Sequence, residues 1–385
     1  MSNPNVDDIL DELAGGAPDD DDEDIFTRSV INRNPREIRT AEDTLRPHTL
    51  DEVIGQESIK RTLRTYMSSA TRRGVPLDHV LLSGPPGLGK TTIASVIATE
   101  MNHALILDTG PTLNKQKMMS HVTSIINTAK EENLQIVLFV DEAHDIPKES
   151  QTILLPLLEE FKFIDIYCPK FTLVAATTEP SALPAPLRDR LSIKYHVEYY
   201  TDDELLLILK RSYRLLWELH EEQYDDYVNG LLAVDEDGNE APTLQALRML
   251  AHRAKGVPRA ANQLLRRTQD FAIGLLSEEQ DIWEAPLDPD VVKAAMTAER
   301  IDVNGLTHTE RNILVTMLTR FASRSGGVGP GAIASAVGES RNTIEFVFEP
   351  NMVRLGYIER TERGRKLTPE GMAVALLEVS HATEY

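Results

Sequence analysis

Cysteine is all but missing from this chain of 385 residues, where Cys168 stands alone. A single thiol excludes an internal disulfide and a cysteine-based zinc site, and it reads as an ordinary residue of a strand or turn. Long apolar runs are missing too. No stretch of about 18 apolar residues is present, so no membrane partner is expected. The first residues are acidic, so no signal peptide is expected either, and the protein reads as cytoplasmic. Positive charge is in short supply: 40 Lys and Arg face 61 Asp and Glu, a net charge of -21. That balance argues against non-specific nucleic-acid binding by the whole surface, while leaving room for a local basic patch.

The shortage of basic residues is most severe at the start. Ten acidic residues fall between Asp7 and Asp24, and the first basic residue is Arg28. Such a block repels itself, so residues 1–43 are expected to be a disordered tail. The tail either solubilises the protein or docks on a basic partner. Within it Val6, Ile9, Leu10 and Leu13 have helical spacing and suit a segment that folds on a protein partner. The remaining length predicts two or three domains, placed at 44–200, 201–300 and 301–385.

What is present is centred on Val80–Thr92, V-L-L-S-G-P-P-G-L-G-K-T-T. An apolar strand end, a glycine-rich loop and a helix start follow one another, which is the order a phosphate-binding P-loop needs. Gly87 and Gly89 let backbone N–H groups close on phosphates, the helix contributes its positive end, Lys90 adds a point charge and Thr91 can ligate Mg²⁺. ATP and Mg²⁺ are therefore the expected cofactors. Ala104–Leu107, Ile136–Val140 and Phe171–Thr178 read as further strands, and Met118–Lys130 as a helix between them. Continuously apolar strands alternating with helices specify a parallel sheet covered on both faces.

Ile136–Val140 leads into Asp141-Glu142. At the carboxyl edge of a parallel strand beside a P-loop, Asp141 can hold Mg²⁺ through its water shell and Glu142 can orient and deprotonate the attacking water. Residues 141–144 also spell D-E-A-H, but nothing else follows that helicase class. Thr177 and Thr178 end the next strand, where Thr178 either senses the γ-phosphate or caps a turn. Arg188 and Arg190 come from the rim of this domain. An arginine there reaches a neighbour's phosphate more easily than its own, so one of the two would be an arginine finger in trans and imply a ring; as two arginines of a polar loop they would instead form surface ion pairs.

Residues 201–300 show helical patterns without a clear strand, opening on a Thr201–Glu204 capping box. Gly256-Val257-Pro258-Arg259 starts one of these helices, and Arg259 can reach the γ-phosphate. From Leu306, helices over 310–321, 332–337 and 341–355 precede a hairpin around Thr361–Gly364, which reads as a winged helix. Arg360, Arg363, Arg365 and Lys366 are four basic residues in seven at the wing, and Arg341 opens the preceding helix. In so acidic a chain this patch suits phosphate contacts. A solvated hairpin used for protein contact is the alternative.

The order of these motifs resembles the AAA+ ATPases, and within them the RuvB-like Holliday-junction branch-migration motors. The similarity runs along most of 45–370, through L-D-H-V-L-L-S-G-P-P-G-L-G-K-T-T, T-G-P-T-L, F-T-L-V-A-A-T-T, A-P-L-R-D-R, G-V-P-R-A-A-N-Q-L-L-R-R, R-N-T-I-E-F-V-F-E-P and L-G-Y-I-E-R-T-E-R-G-R. The resemblance implies an α/β P-loop ATPase domain, a helical lid and a winged helix. It implies a homohexameric ring that moves double-stranded DNA by ATP hydrolysis. It also implies adenine contacts from Leu45, Arg46 and Tyr200, phosphate and Mg²⁺ contacts from Gly87 and Gly89–Thr92, catalysis by Lys90, Glu142, Thr178 and Arg190, a second sensor at Arg259, and DNA contacts from Arg360, Arg363 and Arg365. Three departures stand out. The hairpin that engages a RuvA-type partner is cut to Lys162–Lys170, which weighs against that partner; Glu179 follows the sensor where the family has Arg; and the acidic tail is additional. A AAA+ loader or remodeller acting on a protein at DNA is the alternative reading.

Overall fold

The computed structural model describes residues 45–163, 166–218, 230–235, 238–277, 285, 287–321 and 327–382. The acidic tail and its helical segment lie outside them. Contacts divide the chain into two compact units. One runs through Ile208 and takes in Val257–Arg259; the other comprises Leu209–Gly256 and everything from Ala260.

The first unit is built on five parallel strands: β1 (Val80–Ser83), β2 (Ala104–Thr109), β3 (Ile136–Asp141), β6 (Thr172–Thr177) and β7 (Ile193–His196), in the order β2-β3-β6-β1-β7. Every residue of β6 and the first five of β3 are buried, as their unbroken apolar sequences require of central strands. On β2, at the sheet edge, Leu107 is exposed and Asp108 buried, so this strand alternates where the apolar run suggested uniform burial. The edge strand β7 went unread, because Lys194 and His196 interrupt its apolar pattern.

Helix α1 (Glu57–Arg73) precedes β1, and three helices join the strands that follow: α2 (Lys90–Glu100), α3 (Lys115–Glu131) and α4 (Lys148–Glu159). Asn114 caps α3, its side chain accepting from the Lys117 amide at 2.8 Å, which starts that helix three residues before its first buried apolar residue, Met118. Ile125 and Val122 of α3 pack with Leu154 and Leu157 of α4 and with β3 in one buried cluster. After α4 comes a minimal hairpin of β4 (Lys162–Phe163) and β5 (Ile166–Tyr167), then Cys168, buried, its thiol pushed up to about 12 by desolvation. The short helix α5 (Ala185–Arg190) precedes β7.

Helix α6 (Asp202–Glu218) opens on the expected capping box. The Thr201 amide donates to Glu204 Oε2 at 2.8 Å and the Glu204 amide to Thr201 Oγ1 at 3.2 Å. Helices α7 (Pro242–Arg253), α8 (Pro258–Gly274) and α9 (Pro289–Ala298) each begin at a proline, whose missing N–H is not needed in a first turn.

The winged helix follows as α10 (His308–Phe321), α11 (Pro330–Val337), a helical stretch from Arg341 through α12 (Glu349–Arg354), then β8 (Ile358–Thr361) and β9 (Gly364–Leu367). A third contact, Val328 with Arg365, adds to the two-stranded wing. Two features differ from the sequence reading: Thr343–Phe348 is π-helical, and a final helix, α13 (Pro369–Ala382), packs on α10. Ile313, Leu314, Ile333, Ile344, Met352 and Ala375 form the core of this region. A second capping box, Thr307 with Glu310, starts α10, and Glu310 also pairs with Lys255 at 2.9 Å.

Candidate nucleotide site and wing

Strand order determines what meets at the site. Because β6 lies between β1 and β3, the P-loop, the threonines and the acidic pair emerge side by side at the carboxyl edge of the sheet. The Gly84 amide donates to the Thr177 carbonyl at 3.1 Å, tying the loop to β6. Gly84, Gly87 and Gly89 have φ of 141, 78 and 96°, values that side-chain-bearing residues rarely adopt. A Cβ on Gly87 would stand 2.8 Å from Val257 Cγ1 and 3.3 Å from Arg259 Cβ, so the start of α8 closes directly on the loop. The Arg259 amide donates to the Gly87 carbonyl at 3.3 Å.

Lys90 is only 6% exposed, and its Nζ donates to the carbonyls of Gly84 at 2.8 Å and Pro85 at 2.9 Å. Burial lowers its pKa from the ordinary lysine value; Asp141 and Glu142 oppose the shift and Arg259 adds to it. A cation satisfied only by loop carbonyls, below a helix N-terminus with no side-chain cap, is an arrangement suited to phosphate oxygens. Thr91 and Thr92, both half-buried, open α2 beside it. Thr91 and Asp141 are the oxygen donors that fit Mg²⁺. Tyr200 is buried, which pushes its phenol up to about 12, and its hydroxyl donates to the Leu88 carbonyl at 3.4 Å. Leu45 is buried and Arg46 half-buried at the start of the described chain.

Glu142 has a left-handed backbone, φ 45°, immediately after β3. The loop after β2 braces it, for a Cβ on Gly110 would overlap the Glu142 carbonyl oxygen. Its carboxylate is held from two sides. Thr178 donates from Oγ1 at 2.9 Å, and His144 Nδ1 lies 3.4 Å from the same oxygen and 2.9 Å from Thr177 Oγ1. Sequence reasoning misses His144 although D-E-A-H spells it out, because nothing else in the chain follows that helicase class. Arg190 is not among the groups gathered here. Its guanidinium contacts Glu159 and the Pro186 carbonyl.

The wing's cations are unequally available. Arg363, in the two-residue turn between β8 and β9, is exposed. Arg365 has a side chain 19% exposed and pairs with Glu349 at 2.8 Å and Glu345 at 3.3 Å. Arg360 pairs with the same Glu349, which is 1% exposed, and Arg341 pairs with Glu345 at 3.0 Å. Sequence spacing gave four arginines but not Glu349 and Glu345 facing Arg360 and Arg365 of the hairpin, while Arg341 meets Glu345 one turn along its own helix.

Two family models match the chain in this order: the Holliday junction DNA helicase RuvB P-loop domain over residues 45–197 and the RuvB C-terminal winged helix domain over 303–375. The Holliday junction branch migration complex subunit RuvB of Thermobifida fusca is 37% identical over 345 residues, 86% of this chain and 88% of that protein. The chain belongs to the RuvB family. The corresponding RuvB of Limosilactobacillus reuteri is 38% identical over 355 residues, 88% of this chain and 94% of its own. The solved Thermotoga maritima RuvB Holliday junction branch migration motor superposes with a TM-score of 0.69 at 34% identity, covering 87% of this chain and 98% of that one. As in RuvB, a P-loop ATPase domain, a helical middle region and a winged helix follow one another, and the protein is an ATPase of this class.

Proposed function

We propose that the protein is an ATP-driven translocase of double-stranded DNA, working as a homohexameric ring that hydrolyses ATP where adjacent subunits meet. The observation that carries this reading is the separation of charges. Lys90, Asp141, Glu142 and Thr178 belong to one carboxyl-edge cluster, whereas the guanidinium of Arg190 pairs with Glu159 of α4 and the Pro186 carbonyl of α5 and with none of these groups. A hydrolytic centre built in this way gains its finger cation from a second copy.

The residues divide the work. Leu45, Arg46 and Tyr200 enclose the adenine. Gly87, Gly89 and the first turn of α2 offer amides to the phosphates, and Lys90 exchanges the Gly84 and Pro85 carbonyls for phosphate oxygens. Mg²⁺, held by Thr91 and Asp141, would neutralise phosphate charge. Glu142 takes the proton of the attacking water while Thr178 fixes its carboxylate, and Arg259 reports the state of the site to α8. The exposed Arg363, with Arg341, Arg360 and Arg365, provides the DNA surface. Such a motor meets its DNA in the cytoplasm.

The hairpin of only four paired residues supports a protein partner other than one of the RuvA kind, engaged there or through the acidic tail. The three wing arginines already paired with carboxylates favour the second reading, a AAA+ loader that remodels a protein at DNA. ATPase rates with and without duplex DNA discriminate. A motor is strongly stimulated by duplex, with a steep fall as salt rises; a loader is stimulated by a protein instead. Arg190→Ala subunits mixed into wild type should depress the rate by more than their fraction, and a strictly linear loss rejects the shared site.

A further inference from the structure

Glu159 is the last residue of α4, and its Oε1 lies 2.7 Å from Arg190 Nη2. The other guanidinium nitrogen, Nη1, donates to the Pro186 carbonyl at 2.7 Å, one turn back in α5. The Arg190 side chain is 24% exposed, and its Nε is buried without a partner. An arginine that projected freely from the rim would show none of these contacts.

From this geometry we propose that Glu159 is a positioning residue for ATP hydrolysis: it holds the arginine finger on its own subunit and releases it to the triphosphate of the neighbouring copy as the ring closes. The proposal rests on the shared-site reading above. Its physical basis is competition between two anions for one cation. Glu159 carries one charge and its side chain is 56% exposed, so water weakens its hold. A triphosphate carries several charges and accepts a guanidinium bidentately, so it wins once a neighbour brings it within reach. Without a neighbour, Glu159 keeps the finger curled back, and each interface must break this pair before it becomes active. Removing the carboxylate lowers the cost of closure.

The test compares Glu159→Gln with wild type in two readouts, ATPase rate against protein concentration and ring assembly with a non-hydrolysable ATP analogue by sedimentation. We expect the half-maximal protein concentration to fall about fivefold, the scale of one partly exposed ion pair. In the Arg190→Ala background Glu159→Gln should leave the assembly curve unmoved, because no finger remains to hold. A Glu159→Gln curve that superposes on wild type overturns the proposal, and so does an equal shift in the Arg190→Ala background. Should Glu159→Gln lower the melting temperature, Glu159→Asp, which keeps the charge and shortens its reach, must still shift assembly in the same direction; no shift rejects the idea. Arg190→Ala with wild-type ATPase would reject the shared site itself, an outcome distinct from an inactive Arg190→Ala beside an unchanged Glu159→Gln.

Discussion

Thr178 Oγ1 donates to Glu142 Oε2 at 2.9 Å, and the Thr178 amide approaches the same oxygen at 3.3 Å. A base fixed by the end of one strand and carried by the end of the next is pre-oriented, at no cost when substrate arrives. Thr178→Val removes the hydroxyl and keeps the shape. The expected result is a fall in kcat of about tenfold with little change in the ATP concentration giving half the rate, while Glu142→Gln removes the base and lowers kcat by about 10²–10⁴. Equal losses in the two variants would give Thr178 a role of its own on the phosphate.

Gly87→Ala separates the loop's shape from its charge. The substitution imposes a left-handed penalty of about 1–2 kcal/mol and drives a methyl toward Val257 Cγ1 and Arg259 Cβ. Nucleotide affinity should fall together with the melting temperature. A Lys90→Ala variant, which spares the loop that clash but takes the donor from the Gly84 and Pro85 carbonyls, should lose nucleotide affinity with a smaller fall in melting temperature. Calorimetric titration with an ATP analogue and a thermal melt of each variant check this.

How far the chain could be read in advance differs between its parts for physical reasons. The nucleotide site was legible because local rules specify it: glycines at positive φ, a lysine after the last of them, and an acidic pair closing an apolar strand. The capping boxes follow from spacing alone. His144, Glu159 and the pairing of Glu349 with Arg360 and Arg365 of the wing were not legible, since each acts through a residue brought near by topology, whereas Glu345 meets Arg341 one turn along the same helix. Glu159 meets Arg190 across 31 positions, a pairing that no periodicity encodes. Strand β7 was lost because its solvent-facing residues are polar, and Leu107, exposed on the edge strand β2, continued an apolar run that gave no sign of its exposure.

In the wing, exposure predicts which arginine carries DNA affinity and which carries the fold. Arg363→Ala should weaken binding to all duplex sequences alike and reduce the slope of log affinity against log salt by about 1, leaving the melting temperature unchanged. Arg365→Ala strips one partner from Glu349, a carboxylate in the interior, and should destabilise the winged helix by about 1–3 kcal/mol. Replacing both members, Arg365→Met with Glu349→Leu, should recover much of that stability. Denaturant unfolding and salt-titrated DNA binding on the same variants separate the two roles.

A buried carboxylate at the end of β2 gives the ATPase unit its acid sensitivity. Burial by itself would raise the Asp108 pKa, but His121 Nε2 at 2.5 Å, Lys117 Nζ at 2.6 Å and the Thr109 amide at 2.7 Å outweigh it and hold the carboxyl at about 2, against an ordinary 3.8. A folded-state value below the unfolded one means that ionisation favours the fold. This contribution is complete above about pH 5, and it is lost as pH falls through 4 toward 2; a lowering of this size corresponds to about 2 kcal/mol. Asp108 also accepts from Thr112 Oγ1 at 3.1 Å, so it shapes the loop whose Gly110 braces Glu142. Asp108→Asn should therefore lower stability at pH 7, and the gap to wild type should narrow steadily below pH 4. It should also reduce kcat more than nucleotide affinity, because the base is displaced while the P-loop is untouched. Unfolding midpoints measured from pH 3 to 8 test the first statement; a constant gap across that range would show that the carboxylate's charge contributes nothing and that only its shape matters.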